Sequence, residues 1–191
     1  IINEIMADPI GSDSYDEWIE LYNTIDQDID LSSWQITRLL DKKEIVMLTI
    51  PSGIIPAYGC FLIANNKAKE ANFAVEPNLM TADVVLSNNQ LQLKLYDGPF
   101  DSGGILVDTA DDGIGAPAAG DAKVKASMVR SDPIGDGILA SSWHTADTRT
   151  GWDDGTKEFG TPGSGDIIRQ IPSVIKSCGK LITTWANIKL K

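Results

Sequence analysis

The stretch "EWIELYN", residues 17–23, decides the fold. Ile19 and Leu21 alternate with Trp18, Glu20 and Tyr22. A period of two puts the aliphatic pair on one face of a β-strand and the aromatic and acidic trio on the other. The stretch also holds two carboxyl groups, Glu17 and Glu20, which raises acid–base chemistry. In a strand, residues three apart leave from opposite faces. A glycosidase pair needs carboxyls roughly 5–9 Å apart converging on one cleft, so this strand cannot present both. A partner for Glu20 from another strand, for example Glu4, is left open by the spacing. The favoured reading puts Ile19 and Leu21 in a core and Glu20 on an outer, solvated face among aromatics.

Runs of similar kind follow along the chain. Residues 1–6, 34–40, 44–50, 60–64, 83–87, 91–97, 104–110 and 126–130 join 17–23 as about nine candidate strands. Their separators carry turn chemistry, such as "PSG" at 51–53, "SNN" at 87–89 and "DGP" at 97–99. Helical patterning is thin, and "NNKAKEANF" (65–73) supports a turn or two. Short strands without intervening helices predict an all-β sandwich or barrel. Residues 111–125 read as a Gly/Ala/Asp-rich loop, and residues 131–166 as a long irregular wrap pinned by Trp143 and Trp152.

Charge narrows the partners. The chain has 16 basic and 27 acidic side chains, a net charge of −11. Residues 167–191 hold Arg169, Lys176, Lys180, Lys189 and Lys191 and no acid, giving +5, so residues 1–166 carry 11 basic against 27 acidic groups, or −16. Such a body repels phosphate backbones and is expected to bind no nucleic acid. The last 25 residues fit a basic amphipathic helix or a strand, and are read as a tail, a linker or the start of a following segment. No apolar run approaches the roughly 18–20 residues of a membrane span. No basic leader precedes an apolar block, and the chain is read as a mature or excised fragment.

The polar residues offer few catalytic or metal motifs. His144 with Asp147 lacks the G-x-S-x-G nucleophile elbow, and "SSWHTADT" reads better as a polar loop. One histidine and two distant cysteines cannot form a tetrahedral zinc site unaided. Cys60 reads as a small buried hydrophobe. "GIGAPA" (113–118) formally matches a dinucleotide fingerprint, but Pro117 and Gly120 follow where a helix is required. Asp8, Asp13 and Asp16 in the first loop are the candidate calcium ligands, with Asp26, Asp28, Asp30, Asp153 and Asp154 in later loops. Solvated acidic loops are the plainer reading, and no cofactor is expected. Trp18, Glu20 and Tyr22 are candidates for a contact surface, but packing against a covering loop such as 131–160 is the favoured reading.

Several pieces together identify a family resemblance. "IINEIMADP", "DEWIELYNTIDQDIDLSSWQIT", "GIIPAYGCFLIA", "LSNNQLQLKLYD", "GILVDT" and "GTPGSGD" occur in this order over residues 1–166. They resemble the lamin-tail domain family in its prokaryotic form. The resemblance implies an immunoglobulin-like β-sandwich of about nine strands, with no catalytic residues. It implies an extracellular or cell-surface module of a larger protein, serving binding, adhesion or spacing. Its expected partners are proteins or neighbouring domains of the same chain, with polysaccharide as a further option. The competing readings are a calcium-binding sandwich and a carboxylate-based hydrolase.

Overall fold

A computed structural model describes residues 1–7, 16–66 and 72–164. Twelve strands run in the order β1 (Ile2–Met6), β2 (Trp18–Tyr22), β3 (Ile29–Asp30), β4 (Gln35–Leu40), β5 (Lys43–Thr49), β6 (Ile54–Ile55), β7 (Cys60–Ala64), β8 (Leu79–Met80), β9 (Leu93–Tyr96), β10 (Leu106–Ala110), β11 (Met128–Arg130) and β12 (Trp143–Thr145). A six-stranded sheet has the order β12-β11-β1-β2-β7-β8, and a four-stranded sheet the order β10-β9-β4-β5. β3 and β6 pair as a short ribbon. All pairings are antiparallel except β7 with β8.

The two sheets enclose one apolar core. Ile2, Ile5, Ile19, Leu21, Phe61 and Ile63 meet Ile36, Leu48, Leu93 and Leu95, all nearly inaccessible to solvent. Ile2 and Ile5 are three apart yet share this core. A register shift between Ile2 and Glu4 accounts for it, because a bulge restores the inward face after one extra residue. The alternation expected in β2 holds, with Ile19 and Leu21 facing the core. This is an all-β sandwich, one of the two forms that the strand pattern predicts, with the immunoglobulin-like character that the family resemblance implies.

The strands differ from expectation in two ways. Residues 83–87 form no strand, although Val84 and Leu86 are buried. The Leu86 N–H donates instead to the Glu17 side chain at 2.9 Å, so a carboxyl group takes the place of a neighbouring strand. The short strands β3, β6, β8 and β12 carry too few residues for a readable period. The turn or two expected within 65–73 falls largely outside the described residues, as does the segment 167–191.

The four-stranded sheet carries a polar network on one face. Glu44 of β5 accepts from Lys94 Nζ at 2.5 Å, from the Tyr96 hydroxyl at 2.7 Å and from Thr37 Oγ1 at 2.8 Å. Burial alone would raise the Glu44 pKa, but the bonds from Lys94, Tyr96 and Thr37 and the Lys94 charge outweigh it and hold it below 4.5. Burial and the bond to Glu44 push the Tyr96 hydroxyl up to about 12. A carboxyl whose folded pKa is lowered contributes stability above its unfolded pKa and loses it as the pH falls through the folded value. Glu44→Gln is therefore expected to cost about 1 kcal/mol at neutral pH. That difference should shrink as the pH falls below 4.5, measured by urea unfolding of both proteins across the acid range. A cost independent of pH would contradict this role.

Candidate functional site

Two carboxyl groups do converge, but from different strands. Glu4 of β1 and Glu20 of β2 stand directly opposite each other, and both are fully buried. Carboxylates so placed repel, and each must find donors away from water. Glu4 Oε1 accepts from Ser127 Oγ at 2.5 Å and from the Thr161 N–H at 2.8 Å, while Oε2 accepts from Thr161 Oγ1 at 2.6 Å. Glu20 Oε1 accepts from Asn3 Nδ2 at 2.9 Å, and Oε2 from the Gly163 N–H at 2.7 Å. Every oxygen of the pair is thus engaged by the protein's own chain. Gly160 makes this closure possible: its φ is +152°, and a Cβ there would lie 2.7 Å from Glu4 Oε1.

The expected solvated face is therefore corrected. Trp18 and Glu20 are 0% exposed and Tyr22 is 3% exposed, so none of the three forms an open contact surface. Trp18 packs edge-on against Phe73 and Trp152, with ring centroids 6.1 Å away in each case. The Trp152 indole N–H donates to the Gly160 carbonyl at 2.9 Å, tying this aromatic cluster to the segment that closes over Glu4. Glu17, on the other face of β2, is also buried, where it receives the Leu86 N–H.

A second buried ion joins the two sheets. Arg130 at the end of β11 donates to the Ile2 carbonyl through Nε at 3.2 Å and Nη2 at 3.0 Å. It also pairs with Asp108 of β10 and lies 4.2 Å over the Trp143 ring. The Trp143 indole N–H donates to the Gly137 carbonyl at 2.7 Å. A Cβ on Gly137 would come within 1.8 Å of the Thr109 carbonyl, so this segment can reach Arg130 only with glycine there. Burial raises the Asp108 pKa against the lowering pull of Arg130. Nothing in the alternation singled out Arg130, a lone cation that ends an apolar strand.

Among the described residues the remaining polar candidates take local partners. His144 is exposed, and its Nδ1 lies 3.1 Å from Ser131 Oγ. Among the described residues no carboxyl group hydrogen-bonds the ring. Asp8 and Asp13 lie outside the described residues, and Asp16 is half-buried. Asp28 accepts from the Ala57 N–H at 2.9 Å, and Asp30 from the Ser32 N–H at 2.8 Å. Bonds from the Ser32 hydroxyl and N–H lower the Asp30 pKa. Among the described residues no group of three or more His, Cys, Asp or Glu could hold a metal ion. Asp111 begins the "GIGAPA" loop with φ +65° and accepts from the Asp112 and Ala118 N–H groups at 2.6 and 2.7 Å. That carboxyl shapes the loop from within. Cys60 is buried, as read from the sequence, and is also disulfide-bonded; the other cysteine, Cys178, lies outside the described residues.

An apolar cavity of about 220 Å³ opens at one end of the sandwich. Leu21, Ile29, Leu31, Trp34, Ile55 and Leu95 line its interior. Ile25 and Val107 also line it and are 47% and 43% exposed. Its volume is below the roughly 300–1,000 Å³ of a site for a drug-sized ligand. The β-sandwich end thus offers room on the scale of one side chain, with Ile1, Tyr22, Asn23 and Thr24 completing its lining.

A family model described as Lamin Tail Domain matches residues 1–113. No curated protein matches the chain. The match covers β1 to β10, whereas β11, β12 and the segment over Glu4 and Glu20 follow it. Among the described residues no helix is long and apolar enough to cross a membrane.

Removing one partner of a buried carboxyl strands the other, which typically costs several kcal/mol. Glu4→Gln is expected to destabilise the fold by about 3 kcal/mol, and Gly160→Ala by a similar amount. Urea unfolding followed by tryptophan fluorescence reads both. A loss under about 0.5 kcal/mol in either variant would place Glu4 outside the fold's essential contacts.

Proposed function

The chain belongs to the lamin tail domain family, and from that premise we propose that it is a non-catalytic binding or adhesion module of a larger protein, working outside the cell or at its surface. The observation that carries this reading is the engagement of Glu4 and Glu20. A hydrolase would leave such a pair open to substrate and water, and here Thr161 and Gly163 cover it. The acidic body supports protein or polysaccharide partners over nucleic acid.

The module as proposed extends through Ser164, past the end of the family match. β11 pairs with β1, and Thr161 and Gly163 supply donors to β1 and β2. A chain ending at Gly113 leaves Glu4 and Glu20 without those donors. It is expected to show no cooperative thermal transition by circular dichroism, whereas the chain through Ser164 unfolds cooperatively. Cooperative unfolding of the shorter chain would refute this boundary.

The functional reading is tested by fusing the chain to a fluorescent protein and applying the fusion to cells and secreted matrix of the source organism. Retention of the fusion, with the reporter alone washing off, is the expected result. The same protein should turn over no glycan, ester or phosphodiester in a substrate panel. Turnover of any of them, abolished by Glu20→Gln, would overturn the proposal.

A further inference from the structure

We propose that the cavity between Ile25 and Val107 is an anchor site for one aliphatic side chain of an extended, basic segment of a partner protein. This inference rests on the reading of the chain as a binding module and names its contact surface. The cavity is apolar and holds one side chain. Val107 stands at its mouth, and Ile105, two residues earlier on the same side of the strand, is 68% exposed. Ile25, Val107 and Ile105 thus put exposed aliphatic surface beside an apolar cavity, the kind of patch that marks interaction sites.

β10 is an edge strand of the four-stranded sheet, and its backbone favours an extended partner. The Ile105 carbonyl accepts from the Asp97 N–H at 3.1 Å, and the Ile105 N–H donates to Asp97 Oδ1 at 2.6 Å. Both groups of Ile105 therefore face β9. By antiparallel alternation, the N–H and C=O of Leu106 face outward. Neither has a partner among the described residues. Farther along the same edge, the Gly137 carbonyl takes the Asp111 N–H at 2.9 Å, so this part is already capped. A register shift between Leu106 and Asp108 and the inward charge of Asp108 block the edge beyond this point, so the open backbone is confined to Leu106. A partner strand laid there gains backbone bonds from Leu106 and can place an alternate side chain in the cavity.

Charge selects a basic partner. Asp26 follows Ile25 directly, Asp97 sits beside Ile105, and Asp101 lies in the turn between β9 and β10. All three are exposed. Lys or Arg flanking the anchor meets these carboxylates, whereas an acidic segment is repelled. A second copy of this body, itself strongly acidic, is disfavoured by the same repulsion.

The probe is a fluorescein-labelled peptide, KLKVKLK, titrated with the full chain and read by anisotropy. Three controls accompany it: the acidic counterpart ELEVELE, the equally basic KSKSKSK, and the chain carrying Ile25→Ser with Val107→Ser. Both substituted positions are exposed, so the fold should persist, checked by its unfolding midpoint. The expected result is saturable binding of KLKVKLK, at least tenfold weaker for KSKSKSK and for the double variant, and absent for ELEVELE. Leu106→Pro, which removes the outward N–H, should weaken it further than Ile25→Ser alone. Equal affinity for KSKSKSK, or for the double variant, would overturn the proposal in favour of diffuse charge attraction. Binding that appears only after residues 165–191 are removed would overturn it by making the chain's own tail the occupant. A dimer in light scattering that the double variant dissolves would make a second copy the occupant. Failure of the peptide while the fluorescent fusion is still retained would sink this surface alone and leave the binding-module reading standing.

Discussion

The fold turns on two carboxyl groups held face to face inside the protein. Glu4 and Glu20 occupy opposed positions of adjacent strands with no access to water. Left without donors, such a pair would cost more than the surrounding aliphatic packing could offset. The donors come from residues 157 and 143 positions away, Thr161 and Gly163. The end of the described chain is thereby bound to its beginning. The six-stranded sheet is complete only when the closing segment lies across it.

This arrangement explains why both faces of β1, β2 and β7 are buried in a two-sheet sandwich. One face meets the four-stranded sheet. The other meets Phe73, Trp152 and the backbone of 160–163. Arg130 performs the complementary task at the sheet-to-sheet boundary, where it holds the Ile2 carbonyl and Asp108 together. Buried polar groups of this sort are weak sources of net stability, and any slip in register leaves donors and acceptors unpaired. As a hypothesis for this chain, Glu4, Glu20 and Arg130 specify register and closure, and the aliphatic core supplies most of the stability. Substituting all partners of one carboxyl together with apolar residues would test this, with near-native stability but lost register as the supporting outcome.

Much of the fold was legible in the alternation of Ile19 and Leu21 and in the aliphatic runs of β7 and β9. Those runs are long enough for a period of two to show. The acids misled because side-chain type alone predicts exposure for Glu20. Its burial depends on a backbone N–H from Gly163, a contact that no local pattern encodes. Trp18 and Tyr22 left two readings, a contact surface or the floor under a covering segment, and the packing of Trp152 on Trp18 decides for the floor. The "GTPGSGD" piece held the signal: its small residues, Gly160 and Gly163 at positive φ, mark a chain that approaches another backbone closely. Residues 83–87 have the composition of a strand, but the Glu17 side chain takes the Leu86 N–H in place of a neighbouring strand.

Function follows from what this packing leaves exposed. The converging carboxyls are enclosed, so the chemistry they suggest in sequence has no opening to substrate. What remains accessible is the end of the sandwich, the β10 edge and the acidic loops. The central claim, that the backbone of the closing segment is locked onto the buried acids, is open to direct observation by native-state hydrogen exchange at the Thr161 and Gly163 amides. The account predicts protection of both amides matching that of the β2 core amides, so that they open only with global unfolding. Exchange at the rate of an exposed loop would contradict it.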